Sequence, residues 1–321
     1  MTGWADVTWA DWSDHDAIRA RLDAGADPDR WGGGLPLHRA AGCGSPEVVA
    51  ELAGRVSDVD AVEYGTTALW EAVMGNRPEN ARALLAAGAD PWRPQLGGWS
   101  PGRLSLAGPT PGLFSVPDNE PGLTAAERAT ARRGRQLVEG LGRFHVDGTG
   151  LACIAGIDGA EAIRRLNGTP LDGEFMADFL DEPHSYDMAE RLLIAGVTTV
   201  PGGCIVTQPW GYVPSAHGTM VRLTAGTVGY GLFANPKSGN QGRILRDGTE
   251  ERSGLHPGGG PSPEDGPEEV LAAYLFSGHP VAHACAFAGL RPTDARAVTG
   301  PADHWIRLPS GLRGWSCRPA W

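Results

Sequence analysis

The chain has 321 residues, a formal net charge of −11, 47 glycines and 26 prolines. This length suffices for two domains with separate cores, and the acidic balance argues against nucleic-acid binding, which needs clustered Lys and Arg. The sequence contains no long apolar run and no secretory signal, and its five cysteines are scattered. We therefore expect a cytoplasmic chain with reduced thiols that does not enter the membrane.

Two sequence ladders with a common period run through the first third of the chain. The segment Ala-Gly-Ala-Asp-Pro occurs at residues 24–28 and again at 87–91. Glycine-containing turns at Gly33, Gly65 and Gly98 follow in step, 32 and 33 residues apart. A period near 33 residues predicts one supersecondary unit stacked on itself, which is an α-solenoid.

Each unit is predicted to hold a pair of helices. The outer helices are expected at 15–24 and after Pro46 and Pro78, and the inner helices at 37–41 and 69–74. Gly25 and Gly88 are expected to end outer helices in a left-handed conformation. The first unit lacks a clear inner helix and the last pattern decays after Pro101, as is typical of terminal repeats.

The pattern resembles the ankyrin repeat. Residues 36–41, Pro-Leu-His-Arg-Ala-Ala, match most of the Thr-Pro-Leu-His-x-Ala signature, whereas Ala68 and Trp70 replace its Pro and His in the next unit. The resemblance implies a concave surface that binds a protein or peptide partner. It also implies that His38 has a structural role, with a hydrogen bond to backbone that holds the turn.

The expected binding surface combines the turn tips with the inner helices. Trp, Tyr and Arg are common interface anchors because they bury a large area with few rotatable bonds. The alternative for Trp31 and Trp99 is packing against the neighbouring repeat. The candidate binding residues are Trp31, Tyr64 and Trp99 at the tips, and Arg39, Glu71 and Met74 on the inner helices.

The expected domain bounds are 1–110 for the ankyrin-like domain, 111–144 for a Pro/Gly linker with a connecting helix, 145–309 for an α+β domain and 310–321 for an aromatic tail. The connecting helix is predicted at 124–141, with Thr124 and Glu127 forming a capping box. Trp315, Cys317 and Trp321 suggest a tail that docks on the body or on a partner, or that is itself a substrate for modification.

Residues 145–309 predict an antiparallel β-meander with helices packed on it. Turns are expected at 235–236 and 247–248. The predicted strands cover 203–208, 218–223, 227–234 and 242–248, and the predicted helices 160–166, 187–195, 268–276 and 282–288. This half also resembles a domain family common in actinobacteria, through residues 156–158, 211–212 and 222–227; that resemblance implies no catalytic residue.

Two groups of polar residues are candidates for a metal site and for a catalytic pair. His279 and His283 lie four residues apart with Cys285 nearby, a spacing that can bind zinc, but Pro280 and the lack of a nearby carboxylate favour a packing role. Ser215 and His217 lie two residues apart in a turn, and the sequence has no Gly-x-Ser-x-Gly elbow there, which favours loop chemistry over a catalytic pair. We therefore predict no metal and no cofactor, and we assign no catalytic residue from the sequence.

The sequence as a whole favours a non-catalytic protein or peptide recognition protein of bacterial origin. The alternative is an enzyme whose α+β domain acts on a peptide or small molecule presented by the ankyrin-like domain. Neither the partner nor the oligomeric state follows from the sequence.

Overall fold

The computed structural model describes residues 3–4, 7–8, 10–32, 34–181, 186–235 and 237–313. It divides into two compact units. Unit 1 comprises Met1–Arg132 with Gly260–Ser277, and unit 2 comprises Arg133–Gly259 with the chain from Gly278 onwards. The hypotheses about Trp315, Cys317 and Trp321 concern residues outside the described ranges.

Unit 1 contains the predicted helix pairs, so the helical N-terminal ankyrin region is confirmed. Two details differ from expectation: a short 3-10 helix at Asp11–Ser13 precedes the first outer helix, and a full helix follows Pro101. The outer helices are α1 (His15–Asp23), α3 (Pro46–Ala53) and α5 (Pro78–Ala86); the inner helices are α2 (Pro36–Cys43), α4 (Ala68–Met74) and α6 (Pro101–Ala107).

The helix ends follow local chemistry. The side chain of Thr67 accepts a hydrogen bond from the Trp70 amide at 3.3 Å, and Ser100 caps α6 in the same way through Arg103 at 3.2 Å. At the other end, Gly25 and Gly88 have φ of 92° and 95°, which confirms the predicted left-handed positions. The repeats are thus delimited by residues that the sequence alone identifies.

Residues 108–124 contain no helix or strand, and α7 (Ala125–Leu141) follows them. The predicted capping box is confirmed. The Thr124 amide donates to Glu127 Oε2 at 2.7 Å, and the Glu127 amide donates to Thr124 Oγ1 at 3.2 Å.

Unit 2 is built on an eight-stranded antiparallel sheet, which confirms the α+β class. The strand order is β2-β8-β3-β4-β1-β5-β6-β7. The strands are β1 (Gly150–Ala155), β2 (Thr169–Pro170), β3 (Ile194–Val200), β4 (Gly203–Gln208), β5 (Val228–Asn235), β6 (Gly239–Arg246), β7 (Thr249–Leu255) and β8 (His304–Arg307). The helices of this unit are α8 (Gly159–Leu166), α9 (Gly173–Asp181), α10 (Met188–Arg191), α11 (His217–Leu223), α13 (Pro280–Phe287) and α14 (Arg296–Thr299).

Several predictions for unit 2 need correction. Residues 218–223 form α11 and not a strand, because Thr219, Met220 and Leu223 are buried together, a spacing that fits one helical face. The helix predicted at 187–195 ends at Arg191, since Ile194 begins β3. The turn at Asp247 and Gly248 is confirmed by φ of 47° and 72°.

Helix α12 (Pro267–Leu275) belongs to unit 1, although it follows β7 in the chain. Val270 and Leu271 are buried in the same core as Leu96, Trp99 and the other repeat residues. The prediction that this helix packs on the meander is therefore wrong. Its sequence neighbour α13 does pack on the sheet, where the Phe287 ring lies 5.5 Å from that of Tyr230 on β5.

Among the described residues, no helix is both long and apolar enough to cross a membrane.

The left-handed glycines give a direct stability test. Gly88→Ala is expected to lower the free energy of unfolding by about 1–2 kcal/mol, because no atom lies within 4 Å of the added methyl group and only backbone strain remains. Gly54→Ala is the matched control: this glycine ends α3 at φ −76° with ordinary contacts, so stability is unchanged or slightly higher. Equal urea midpoints for both variants would contradict the assignment.

A second prediction concerns alkaline pH. Burial raises the pKa of Tyr274 on α12 from 10.0 to about 12. An acid with a raised folded pKa stabilises the fold below its unfolded pKa, and this contribution is lost as pH rises from about 10 to about 12. Each pH unit between these values is worth about 1.4 kcal/mol, which gives about 3 kcal/mol in total.

The measurement is urea unfolding of the wild type and of Tyr274→Phe at about pH 9 and about pH 11.5. Phe cannot ionise, so the variant should lose less stability between the two pH values than the wild type loses. The comparison cancels the other tyrosines. Parallel losses would show that the Tyr274 hydroxyl does not stay buried.

Candidate partner-binding site

A short hairpin precedes each of the inner helices α2 and α4, and a 3-10 turn at Leu96–Gly98 precedes α6. We call these three segments fingers one, two and three. Finger one begins at Trp31 and ends at Gly34, and the Trp31 amide donates a hydrogen bond to Gly34 O at 2.9 Å. Gly33 is outside the described residues. Finger two spans residues 63–66, and the Glu63 amide donates a hydrogen bond to Thr66 O at 2.9 Å. Finger three spans residues 95–99, and the Gln95 amide donates a hydrogen bond to Trp99 O at 2.7 Å.

Side chains tie fingers two and three to the preceding repeat. Glu63 Oε2 accepts from the Leu35 amide at 3.4 Å, and Gln95 Oε1 accepts from the Thr67 amide at 2.9 Å. His38 Nε2 lies 3.0 Å from Thr66 O, which gives the signature histidine its expected structural role. The fingers are therefore held in register by hydrogen bonds between adjacent repeats, each joining residues 28 positions apart.

A second set of contacts links the loops before the fingers. Asp29 Oδ1 accepts from the Ser57 amide at 2.9 Å, and both carboxylate oxygens of Asp60 accept from the Asp90 amide at 3.1 Å. Burial raises the pKa of Asp60, and the negative charges of Asp90 and Asp58 act in the same direction. Asp29 and Asp60 thus join neighbouring repeats through hydrogen bonds to backbone amides.

Trp31 and Arg39 lie together at finger one. The Trp31 ring is half-buried, with its centroid 5.5 Å from that of Trp12. The Arg39 guanidinium carbon lies 5.6 Å from the Trp31 ring centroid, a cation–π geometry. Trp31 can therefore serve both roles considered for it, packing against the repeats and contact with a partner, because part of its ring packs on the stack and part remains accessible.

Tyr64 stands at the tip of finger two, and 81% of its surface is exposed. Its φ is 50°, and the next residue, Gly65, has a φ of 87°. Two successive positive φ values are typical of the tight hairpin turn that favours Asn or Gly, and a bulky residue there is an outlier. The equivalent position of finger one is occupied by Gly32, with φ of 44°.

The other candidates divide into accessible and buried residues. Glu71 is half-buried and accepts a hydrogen bond from Thr66 Oγ1 at 2.9 Å. Met74 is only 9% exposed and Trp99 only 1%. Trp99 Nε1 donates to Pro267 O at 2.8 Å, and the Arg103 guanidinium lies 4.3 Å from its ring. Met74 and Trp99 are core residues, so they do not form part of an exposed surface.

Sequence reasoning missed Val62, which is 48% exposed and lies two residues before Tyr64. Val62 and Tyr64 alternate with Glu63 directly before Gly65, and this pattern could have predicted that both side chains belong to the turn region. Val62 and Tyr64 therefore expose apolar and aromatic surface at finger two and immediately before it.

The polar candidates of unit 2 do not converge on a catalytic arrangement. Ser215 Oγ donates to Tyr212 O at 2.9 Å, whereas His217 Nδ1 lies 3.3 Å from Glu250 Oε2. Arg243 Nη1 also approaches that carboxylate oxygen, at 3.0 Å. Ser215 and His217 thus bond to different partners, which fits loop chemistry.

The metal candidates also separate. His279 precedes α13, and burial lowers its pKa, with the charge of Arg143 acting in the same direction. Cys285 Sγ lies 3.8 Å from Cys153 Sγ in the buried core of unit 2. Within the described ranges, no group of three or more His, Cys, Asp or Glu side chains is arranged to hold a metal ion.

A family model for ankyrin repeats, in three copies, matches residues 10–95. Ankyrin repeats generally mediate protein–protein interaction, which points to a protein partner for this region. No curated protein matches the chain at a significant level. The resemblance of the C-terminal half to an actinobacterial domain family stays a prediction.

The strain at Tyr64 can be measured as stability. Tyr64→Gly relieves about 1–2 kcal/mol of strain in the left-handed conformation. Glycine also loses more conformational entropy on folding, which costs about 0.5–1 kcal/mol. The free energy of unfolding is therefore expected to rise by up to about 1 kcal/mol. The reverse change, Gly32→Tyr, places the same strain in finger one, where no atom lies within 4 Å of a new Cβ, and should destabilise. A loss of stability in Tyr64→Gly would show that the ring packs on the stack.

Proposed function

We propose that the chain recognises a protein or peptide partner through a surface formed by Trp31, Arg39, Tyr64 and Glu71, which we call the finger surface. The observation that carries the proposal is Tyr64: a large aromatic side chain, 81% exposed, at a backbone position suited to glycine. Backbone strain that the fold does not need is often found at functional sites. A partner that covers the ring would explain why it is kept there.

The surroundings of Tyr64 support this role. Val62, two residues before Tyr64 in the sequence, adds exposed apolar area. Arg39 over Trp31 adds an aromatic and cationic pair of the kind enriched at interfaces. The fingers are cross-linked through Glu63, Gln95 and His38, so little conformational entropy is lost when a partner binds. The finger surface is therefore preorganised.

The proposal assigns recognition to residues 1–110 and leaves the α+β domain at 145–309 with an accessory role. It places the chain in a reducing compartment such as the bacterial cytoplasm. The described cysteines support this placement, since they are free thiols even where Cys153 and Cys285 lie 3.8 Å apart. The alternative, an enzyme in the C-terminal half, has no supporting observation among the described residues.

Photo-crosslinking tests the proposal directly. A benzophenone amino acid replaces Tyr64 in the full chain, and a second version carries it at Ala50, an exposed position on outer helix α3. We expect a discrete covalent adduct with a cellular protein from position 64 and none from position 50. Equal labelling from the two positions, or no adduct at position 64, would contradict the proposal.

The captured partner then allows an affinity measurement. Tyr64→Asn removes the ring and keeps a residue that tolerates positive φ, so the fold should be unaffected. Loss of a central aromatic anchor is expected to cost about 2 kcal/mol or more, roughly a 30-fold weaker Kd by titration calorimetry. The exposed change Glu79→Ala on α5 is the control and should leave Kd unchanged. An unaltered Kd in Tyr64→Asn would place the site elsewhere.

A further inference from the structure

In fingers one and three, an arginine of the same chain lies over the aromatic ring. The Arg39 guanidinium carbon is 5.6 Å from the Trp31 ring centroid. The Arg103 guanidinium carbon is 4.3 Å from the Trp99 ring centroid, and both distances fit a cation–π contact. Among the described residues, no cation lies over the Tyr64 ring of finger two. Finger two therefore lacks the cation that the other two fingers receive from their own repeats.

The charges of the three repeats differ in the same sense. Residues 58–71, which include finger two and the start of α4, contain four carboxylates and neither Lys nor Arg. The corresponding residues 27–39 contain two Asp and two Arg, and residues 90–104 contain one Asp and two Arg. Glu71 follows Arg39 by 32 residues and occupies the corresponding position of its repeat. Negative charge is therefore concentrated on the finger that presents the exposed tyrosine.

The four carboxylates of this segment are hydrogen-bonded to neutral groups. Asp58 accepts from a main-chain amide at 2.9 Å, Asp60 at 3.1 Å and Glu63 at 3.4 Å. Glu71 accepts from a threonine hydroxyl at 2.9 Å. None of the four forms a salt bridge with a described residue. Their negative charge is therefore not neutralised by an ion pair within unit 1.

Cations near these carboxylates and on the outer helices behave differently. Arg93 Nη1 donates to the main-chain oxygen of Asp60 at 3.3 Å, and it forms no salt bridge with a described carboxylate. On the outer helices, by contrast, the Arg55 guanidinium lies 2.7 Å from carboxylate oxygens of both Asp23 and Glu51. Charge is thus paired at these outer positions and unpaired at finger two. Unpaired charge of one sign is the arrangement that complements the opposite charge on a partner.

We infer that the partner of the finger surface is a basic protein segment, which places a Lys or Arg side chain on the Tyr64 ring. This inference rests on the proposed function and names the chemical class of the partner. The ring attracts the cation through its quadrupole, and the Glu63 and Glu71 carboxylates of the same finger add Coulomb attraction. An acidic segment would meet four like charges instead. The partner's cation completes at finger two the contact that Arg39 and Arg103 make in the other fingers.

Competition during photo-crosslinking tests this inference on the full chain. The version with benzophenone at position 64 is irradiated in lysate with an excess of a capped heptapeptide of alternating Lys and Ala, or of alternating Glu and Ala. We expect the Lys peptide to suppress the adduct and the Glu peptide to leave it unchanged. An adduct that resists the Lys peptide, or that both peptides suppress equally, would overturn the inference and leave the proposed function standing. Absence of any adduct would overturn both.

The captured partner allows a second measurement, titration calorimetry at about 0.05 M and about 0.5 M NaCl. Glu63→Gln/Glu71→Gln removes two charges and keeps an oxygen acceptor for each hydrogen bond. We expect a roughly 2- to 30-fold weaker Kd at low salt and a smaller dependence on salt. The control Glu47→Gln/Glu79→Gln makes the same change of net charge at exposed positions of outer helices and should leave both unchanged.

Equal behaviour of the two double variants, whether both weaken binding or neither does, would overturn the inference. A Kd that tightens in Glu63→Gln/Glu71→Gln would also overturn it, because the carboxylates would then repel the partner. The peptide competition requires no change at these carboxylates, so it decides the question even if this double variant fails to fold.

Discussion

Unit 1 depends on hydrogen bonds that run from one repeat to the next. His38 to Thr66, Gln95 to Thr67 and Asp60 to Asp90 each join residues 28 or 30 positions apart. A single helix pair has only one apolar face and cannot bury it alone, so burial supplies the stabilisation of the stack. Burial does not fix register, however, because apolar contact is non-directional. The directional side-chain bonds to backbone set which residues of adjacent repeats meet.

A stack with this construction has two ends that need cover. At the N-terminal end the cover is aromatic: the Trp12 ring lies 5.5 Å from the rings of both Trp4 and Trp31. At the C-terminal end, α6 is covered by residues of α7 and by α12. Helix α12 follows β7 in the chain, far from the repeats in sequence. The core of the repeats is therefore complete only when this later segment has joined it.

The sequence predicted what is locally encoded. Pro46 and Pro78 at helix starts, the Thr124 capping box and left-handed glycines such as Gly88 act within a few residues, and each lies where the sequence pattern predicts it. The same holds for the Asp247–Gly248 hairpin. The strand prediction for residues 218–223 was wrong because a short segment of mixed β-branched and apolar residues fits both the helical and the strand period. The packing of Met220 and Leu223 in the core decides in favour of a helix. The position of α12 could not be predicted, since its apolar stripe fits any apolar surface.

The candidate site shows the same division. Trp31, Tyr64 and Trp99 each lie in one of the fingers, although at different positions of it, and the sequence alone does not separate their roles. What separates them is the residue that covers each ring: Trp99 is covered from α12, Trp31 partly by Trp12, and Tyr64 remains 81% exposed. An aromatic residue in a repeat turn therefore has no fixed role of its own. Its role follows from whether the rest of the chain supplies a partner for it, and Tyr64 is the finger aromatic whose ring is left to solvent.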